Sequence, residues 1–561
     1  MRTWDSLFIM LVLAPIVTGG IWLHRPDFHI EYTQPGVAAL VLTAWLWWQQ
    51  RQGRDPARKS VFCRAGLRAW SHWQKSLSEH PLRSLGGAWV TVSLLLFLTS
   101  LFRHRALGSG MADLGIFTNA IWNVVPFGFP YSSIKGGLSL LADHQNFLVY
   151  PLGWLFALWP TPEFLLLLQA IGLSSGAIAL YYLARQRLGR GHPALPWLPI
   201  AYWMCGPLRA AGRFDFHPEV FMLPFFLFAA WLLQERSLGR RMAGLLFLLA
   251  GLAAKESAGP VACGLGLAWL LGAGPAPTRA FTRWLGLFVI ALGLAVFIVD
   301  SRFVPDFFGA HYSYSDLYEP FGSSPLSLAL APFLHPLIFF GRLFAWSRWK
   351  YFWGTLLPFG FLPLFAPAAL LAAAPGFLML FLTSGDHRIS LGYHYAIEPM
   401  VGILFALPVA LDSVILRRQK NLLLIWMALA SLLSYGRSEV YFWRVYEASA
   451  HQAWLRDEVL PQVEKERSVS ASYGLVPHLA TRHWVNEARI LVDEKSSPVD
   501  CVLLDPSVNN TPMSDKDMET VVASLRAQKF ETELRCGSFE LFRRPGGGAC
   551  LKSKPDCPEN K

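Results

Sequence analysis

The chain has 561 residues, which is too long for one ordinary soluble domain. Hydrophobic residues make up 53% of it and charged residues only 16%, whereas soluble proteins carry about 25% charged residues, so the composition excludes an ordinary soluble enzyme. The net charge of +11 is typical of basic loops on the cytoplasmic side of a membrane. No basic stretch in a soluble region is interleaved with aromatic residues, so we expect no nucleic-acid partner.

Long apolar segments predict an all-α polytopic bundle of about 11–13 transmembrane helices. The first helix is predicted to be uncleaved, because no clean A-x-A signal-peptidase site precedes the next apolar run. Segment 147–159 is predicted to lie flat on the membrane surface, and 374–383 is a candidate re-entrant segment. In chain order the predicted helices are 6–23, 35–49, 86–102, 163–184, 193–210, 219–234, 242–255, 257–273, 281–300, 326–345, 353–373, 396–415 and 421–436.

Basic residues fall in alternate loops of this scheme. The loop 50–85 is rich in arginine and lysine, and the loops around residues 187, 240, 281, 349 and 418 are basic as well. Cytoplasmic loops carry an excess of Lys and Arg, so the pattern predicts an inner-membrane protein with a cytoplasmic N-terminus. Residues 1–85 are predicted to form a two-helix extension with a basic cytoplasmic loop, and residues 86–436 the main transmembrane domain.

Residues 437–545 predict a small extracytoplasmic α/β domain. We expect an amphipathic helix over 443–466, strands in 468–476, 488–493 and 499–505, a helix capped by Ser514 that runs to about 528, and a hairpin over 530–544. The tail 546–561 is rich in Gly, Lys and Pro and is predicted to be disordered.

Four cysteines lie at this end of the chain: Cys501, Cys536, Cys550 and Cys557. An even number of cysteines in an exported domain favours disulfides. Pairing Cys501 with Cys536 and Cys550 with Cys557 is one of three possible arrangements. Alternatively, Cys501 is simply a small buried strand residue.

Asp113 follows the third predicted helix in a glycine-containing segment, SGMADLGIFTNAIWN. It is a candidate general base or metal ligand, since a carboxylate can take a proton from an attacking hydroxyl. The alternative is an N-terminal helix cap. Further along the same loop, His144 follows Asp143 and is a candidate phosphate or metal contact, or part of an interfacial hydrogen-bonding cluster.

The densest polar cluster is the segment 213–219, which contains Arg213, Asp215, His217 and Glu219 among aromatic residues. Arginine binds phosphate through two parallel hydrogen bonds, so Arg213 is a candidate phosphate ligand. The alternating residues that follow it share one face of an extended segment and are candidate ligands of a divalent cation. A purely structural network is the alternative.

Lys255 and Glu256 interrupt an apolar run, and charged side chains there cannot face lipid. They are predicted to line a polar cavity, with Lys255 near a lipid phosphate, or to form a structural ion pair. Tyr393 and His394 precede the penultimate helix and either close the cavity over a substrate or belong to an interfacial aromatic belt.

The segments DLGIFTNAIWN, DHQNF, FDFHPE, AAKESAG, GYHYAIEP and SVSASYGLVPHLATR occur in this order. With these segments in this order, the chain resembles a large family of prokaryotic polytopic membrane proteins that is defined only by a domain of unknown function. The architecture of that family is similar to that of GT-C glycosyltransferases. The resemblance covers roughly residues 86–545. It implies a polyprenyl-phosphate sugar donor and an acidic residue early in the first long external loop, where Asp113 stands.

The chain departs from the GT-C pattern at this position. Many of those enzymes carry two adjacent acidic residues, whereas Asp113 is flanked by Ala112 and Leu114. A two-carboxylate site for Mg²⁺ or Mn²⁺ would therefore need Asp215 or Glu219 as its second group.

The leading hypothesis is a membrane glycosyltransferase in which Asp113 is the base and Arg213, His217 and Lys255 neutralise the phosphate leaving group. The outer domain would bind or orient the acceptor. The sequence contains no Walker motif, G-x-S-x-G motif, HExxH motif or dinucleotide fingerprint. A transporter or flippase is one alternative, although no internal repeat is visible. A non-catalytic membrane scaffold is the other.

Overall fold

A computed structural model describes residues 21–25, 28–32, 61–274, 279–308, 317–322, 325–413, 426–427, 430–431, 442–509 and 513–557. The fold is mostly helical, with a small sheet near the C-terminal end. The helices of eight or more residues are Val61–Glu79, Pro81–Arg105, Ile116–Phe127, Val149–Phe156, Pro162–Leu188, Trp197–Met204, Gly206–Arg213, Met222–Leu232, Leu238–Leu252, Ala258–Leu270, Arg279–Ile298, Pro325–Leu334, Pro336–Leu343, Trp346–Leu356, Ala374–Phe381, Ile397–Leu411 and Asp515–Ala527.

Four helices among the described residues are long and apolar enough to cross a membrane: Pro81–Arg105, Pro162–Leu188, Ala280–Phe307 and His394–Leu411. A fifth candidate, Ser327–Leu334 with Pro336–Phe359, is bent by 102°. The predicted count of about 11–13 spans is therefore not reached within the described part of the chain. Shorter apolar helices, such as Ala258–Leu270, account for much of the difference.

Prolines break several segments that were predicted as single helices. Segment 193–210 divides into Trp197–Met204 and Gly206–Arg213, with Pro207 in the first turn of the second helix. Segment 326–345 divides at Pro336. Segment 353–373 consists mainly of short turns that begin near its prolines. Proline lacks the N–H of a helical hydrogen bond, whereas an average over an apolar window does not register the break.

Other predictions at the N-terminal end differ from the structure or fall outside it. The predicted helix 6–23 lies mostly outside the described residues, and its last residues belong instead to a strand, Ile21–Arg25, that pairs with Phe28–Tyr32. The predicted helix 35–49 and most of 421–436 also lie outside the described residues. Within the basic loop 50–85, residues 61–79 form a helix.

Reciprocal glycine contacts join the helices Ala258–Leu270 and Arg279–Ile298. A Cβ on Gly286 would lie 2.5 Å from the Gly266 carbonyl oxygen, and one on Gly266 would lie 2.7 Å from the Gly286 carbonyl oxygen. Since real Cβ atoms do not approach backbone this closely, only glycine allows these helices to pack at this distance.

Gly286→Ala should therefore destabilise the protein by about 1–3 kcal/mol, because the added methyl pushes against backbone that cannot move alone. The measurement is the thermal unfolding midpoint of the purified protein in detergent. Gly341→Ala is the matched control: it lies in the helix Pro336–Leu343 and its Cβ would meet nothing within 4 Å. Equal midpoints for the two variants would contradict this packing.

The C-terminal region contains a five-stranded sheet. Its strand order is Val485–Glu487, Val469–Ala471, Cys501–Leu504, Phe539–Arg543 and Glu531–Cys536. The first three strands are parallel, and the last two form the predicted hairpin. The predicted capping box is confirmed, because the Ser514 hydroxyl accepts from the Asp517 N–H at the start of Asp515–Ala527.

Two other predictions for this region are wrong. The strand expected at 488–493 lies at Val485–Glu487 instead. The helix expected over 443–466 is divided into Phe442–Val445, Ala450–Trp454 and short turns.

The cysteines form the disulfides Cys501–Cys550 and Cys536–Cys557, which is not the pairing singled out from the sequence. Both bonds tie the tail back to the sheet, and Leu551 bridges to Val463. The prediction that the tail is disordered is therefore wrong for residues 546–557, because covalent and backbone bonds compensate for its polar composition.

The C-terminal region packs directly on the helical part. One continuous set of buried apolar side chains extends from the helices into the sheet. At the boundary, the Asn119 amide donates to the carbonyl oxygens of Ala480 and Arg482, both at 2.9 Å. These bonds tie the C-terminal region to the helix Ile116–Phe127, which directly follows the loop that carries Asp113.

Candidate functional site

Asp113 lies in a single π-helical turn, Met111–Gly115, that follows the helix Pro81–Arg105. Its side chain is 28% exposed, and its Oδ1 lies 3.1 Å from His217 Nε2. The next helix begins after Gly115 without a side-chain capping bond. Asp113 is therefore not the helix cap considered as an alternative, and its carboxylate faces another side chain.

Asp215 holds the backbone that precedes Asp113. Its Oδ1 accepts from Arg103 Nη1 at 2.6 Å, and its Oδ2 accepts from the Gly110 N–H at 2.7 Å. The side chain is almost completely buried. Because both oxygens accept these bonds, Asp215 fixes the backbone of the loop that carries Asp113.

Tyr473 supports the same loop from the C-terminal region. Its hydroxyl accepts from the Ala112 N–H at 3.3 Å, and a Cβ on Gly110 would lie 2.6 Å from its ring. Glycine is therefore required where the loop crosses the ring. Burial raises the pKa of Tyr473 to about 12, so its hydroxyl keeps its proton.

His217 connects Asp113 to the buried histidines and carboxylates. Its Nδ1 lies 2.9 Å from the Asp215 carbonyl oxygen, and its ring stacks on His394 at 3.6 Å between centroids. Burial by itself would lower the pKa of His217, but the carboxylates of Asp113 and Glu219 raise it to about 9. The protonated ring donates from Nδ1 to the Asp215 carbonyl oxygen and from Nε2 to Asp113.

Glu219 ends this chain of contacts. Its Oε1 lies 3.0 Å from Lys255 Nζ and 3.2 Å from His394 Nε2. Glu219 and Lys255 are both largely buried, so neither charge is balanced by bulk water. Five side chains thus form a continuous network from Asp113 to Lys255.

Lys255 and Glu256 contact different partners. His144 Nδ1 lies 3.3 Å from Glu256 Oε1, which joins the first outer loop to this helix break. The adjacent Ser257 donates to Glu398 at 3.1 Å. Both charges therefore pair with side chains of other segments, which is the structural alternative, and Lys255 also lines a pocket, so the two interpretations of this segment are compatible.

Asp113 borders two pockets. The first, which we call the polar pocket, has a volume of about 140 Å³. Its charged and imidazole side chains are Asp113, Lys135, Asp143, His144, His217, Glu219, Lys255, Arg388 and His394. Several of these charges are paired internally, as in the 2.8 Å contact between Lys135 and Asp143.

The second pocket, which we call the aromatic pocket, has a volume of about 400 Å³ and lies where the helices meet the C-terminal region. Its rings belong to Phe214, Tyr393, Tyr446 and Tyr473, and its polar side chains to Arg103, Asp113, Arg213, Asp215 and Asn509.

A third space, which we call the apolar cavity, adjoins the aromatic pocket at Arg213. It has a volume of about 250 Å³. Leu95, Leu96, Ile200, Trp203 and Phe442 supply most of its apolar wall. Arg209 and Arg213 line it as well. Arg213 is shared by the apolar cavity and the aromatic pocket, and Asp113 is shared by the aromatic pocket and the polar pocket, so the three spaces form a series.

Of the candidate metal ligands Asp113, Asp215, His217 and Glu219, only His217 and Glu219 belong to the group that the structure assembles. Among the described residues, His217, Glu219 and His394 could together hold a metal ion, with ligand atoms within 4.8 Å of one another. Two imidazoles and one carboxylate suit a transition metal better than Mg²⁺. However, Lys255 already pairs with Glu219 at 3.0 Å, and this ammonium group opposes a second cation. The donor set does not fit Mg²⁺, and we assign no chemical step to a metal ion.

The structure brings together most of the residues singled out from the sequence. Asp113, His144, His217, Glu219, Lys255 and His394 line the polar pocket, and Glu256 supports it through His144. Arg213, Asp215 and Tyr393 line the aromatic pocket instead. Sequence reasoning missed Arg103, Lys135, Arg388, Tyr446, Tyr473 and Asn509. Only Lys135, a lone charge near Asp143, gave a local signal.

One comparison matches most of the chain to a family of predicted membrane proteins. The family model described as "Predicted membrane protein (DUF2079)" matches residues 103–536. No curated protein matches the chain. The apo structure of ArnT from Cupriavidus metallidurans is 14% identical, with 82% of this chain and 98% of that chain covered and a TM-score of 0.47. The structure of the same protein bound to undecaprenyl phosphate is 13% identical, with 81% and 97% covered and a TM-score of 0.44.

Proposed function

The chain belongs to the DUF2079 family of predicted membrane proteins, and for this member we propose a glycosyltransferase that takes its sugar from a polyprenyl-phosphate-linked donor. The observation that carries the proposal is the position of Asp113. Asp113 lines both the polar pocket and the aromatic pocket, and its side chain is 28% exposed, so we expect a group bound in each pocket to reach its carboxylate. A base between two substrates is what transfer to a hydroxyl requires.

The apolar cavity supports a lipid-linked donor. Leu95 borders this cavity and is 52% exposed on the apolar outer surface of its helix, so the cavity adjoins the face that the bilayer covers. A lipid chain entering there would bring its phosphate to Arg213, whose guanidinium suits a phosphate. The sugar beyond that phosphate would extend into the aromatic pocket towards Asp113.

Transfer then needs one proton acceptor and one leaving group. The acceptor hydroxyl approaches Asp113 from the polar pocket, and its oxygen attacks the anomeric carbon of the sugar. The bond between that carbon and the phosphate oxygen breaks, and polyprenyl phosphate leaves with the bonding electrons. Asp113 takes the hydroxyl proton, while Arg213 stabilises the charge that develops on the phosphate.

In this scheme, Lys255 and His217 have roles different from those expected from the sequence. Lys255 is bonded to Glu219 and His217 to Asp113, so both cations hold carboxylates. His217 orients the base, and Lys255 anchors the other end of the network through Glu219. Arg213 alone keeps the predicted phosphate contact.

We also propose that the inner membrane holds the protein with its N-terminus in the cytoplasm and its C-terminal region outside. The alternation of basic loops supports this orientation. The two disulfides of the C-terminal region support it as well, because such bonds persist in oxidising compartments. The sugar acceptor would then be a hydroxyl-bearing molecule of the cell envelope.

The proposal is tested with the purified full chain and a decaprenyl-phosphate donor carrying a radiolabelled sugar. With an envelope extract as acceptor source, we expect label to leave the donor and an equal amount of free decaprenyl phosphate to appear. A transporter in proteoliposomes would move the donor across the bilayer intact, and a scaffold would do neither. Intact donor after prolonged incubation with active extract would contradict the proposal.

A further inference from the structure

We infer that the aromatic pocket binds one neutral sugar ring and that residues of the C-terminal region select which sugar enters. Tyr446, Tyr473 and Asn509 are the selecting residues. One part of the inference rests on the proposed function, namely that the bound ring is the sugar of the donor. The sequence had suggested that this region serves the acceptor, whereas the pocket places it beside the side chain expected to hold the donor phosphate.

The rings of the pocket fit the apolar side of a sugar. Four aromatic side chains border a volume of about 400 Å³, and Phe214 and Tyr393 meet edge to face, with 4.9 Å between centroids. Such rings offer large rigid contact surfaces at low cost in conformational entropy. Three of the four are tyrosines, whose hydroxyl groups both donate and accept hydrogen bonds, as sugar hydroxyls do.

The charges of the pocket favour a neutral ligand. Arg103 is bonded to Asp215 at 2.6 Å, so these two charges balance each other. Arg213 and Asp113 are one cation and one anion, and the proposed mechanism assigns them to the phosphate and to the proton. Asn509 adds an uncharged amide to the lining, a group that can donate and accept hydrogen bonds. No charge beyond these four lines the pocket, so a charged sugar would lack a dedicated partner.

Two of the selecting residues, Tyr473 and Asn509, are held against the loop of Asp113 and the backbone that leads to it. Gly474 donates its N–H to the Asn509 carbonyl oxygen at 2.7 Å, which joins the two C-terminal segments. A Cβ on Gly474 would lie 2.7 Å from the Leu107 carbonyl oxygen, so this unit also packs against the backbone that leads to Asp113. A rigid wall of this kind can discriminate between sugars that differ in one hydroxyl, because a mismatched hydroxyl leaves a buried polar group unpaired.

The test is saturation-transfer NMR on the full chain in detergent, with the methyl glycosides of glucose, galactose, mannose and glucuronic acid as probes. We expect one neutral glycoside to bind at least tenfold more tightly than the others. Tyr446→Ala and Asn509→Ala should each weaken that binding about tenfold or change which glycoside is preferred. Tyr446→Phe should keep the ring contact but reduce the preference for one glycoside over the others, because it removes only the hydroxyl.

Trp154→Ala is the matched control, since Trp154 is 67% exposed on the helix Val149–Phe156 and does not border the pocket. Unchanged binding in both Tyr446→Ala and Asn509→Ala, or a preference for the glucuronide, would overturn the inference. The donor assay separates the two proposals. Glycoside binding that depends on Tyr446 without any donor cleavage would refute the transferase but keep the sugar site. Donor cleavage without pocket-dependent binding would refute only the sugar site.

Discussion

Asp113→Asn should lower the rate of sugar transfer about 10²- to 10⁴-fold, the range that a positioned general base contributes. Asparagine keeps the shape of the side chain and still accepts a hydrogen bond from His217, but it cannot take the proton of the attacking hydroxyl. The effect should appear in the turnover number. Binding of the lipid-linked donor should change much less, because the apolar cavity and Arg213 do not depend on this proton.

The matched control is Asp306→Asn. Asp306 is 49% exposed, pairs with Arg302 one helical turn earlier, and borders none of the three spaces described above. The same chemical change should therefore leave transfer intact there. If Asp113→Asn retained wild-type turnover while the donor was still consumed, another group would be the base and the assignment of Asp113 would be wrong.

Local sequence signals predicted the parts of the fold that depend on neighbouring residues. The long helices Pro81–Arg105 and Pro162–Leu188 follow from uninterrupted apolar runs, and the helix Asp515–Ala527 follows from the Ser514 capping box. The breaks near Pro207 and Pro336 were not predicted, because hydropathy averaged over a window stays high across a single proline. The disulfide pairing was not predicted either, because four cysteines allow three arrangements and only tertiary structure chooses among them.

The candidate site likewise contains residues that local sequence signals reveal and residues that only tertiary structure reveals. Charged residues inside apolar runs, such as Glu219 and Lys255, attract attention in the sequence because lipid cannot accommodate them. Tyr473 does not, since a tyrosine in a polar domain is ordinary. Its importance comes from a contact with Ala112, 361 residues earlier in the chain. Residues of this kind become visible only when the C-terminal region is seen packed on the helices.

Lys255→Met should destabilise the protein by about 3–5 kcal/mol, because it leaves the Glu219 carboxylate buried without its main cation. The side chains of Lys255 and Glu219 are only 12% and 5% exposed, so solvent cannot replace the lost partner. The thermal midpoint in detergent is the measurement. Arg302→Met is the control, because its ion pair with Asp306 is exposed and its loss should cost only about 0.3–0.5 kcal/mol.

The double variant Glu219→Leu with Lys255→Met separates stability from function. Removing both charges should recover most of the lost stability, since a buried ion pair and an apolar pair of similar volume are close in free energy. Transfer should remain low, because His394 loses its 3.2 Å contact with Glu219 and no longer fixes the His217 ring on which it stacks. If transfer recovered together with stability, the network would be structural only. If neither recovered, Glu219 would be needed for folding through His394 rather than through Lys255.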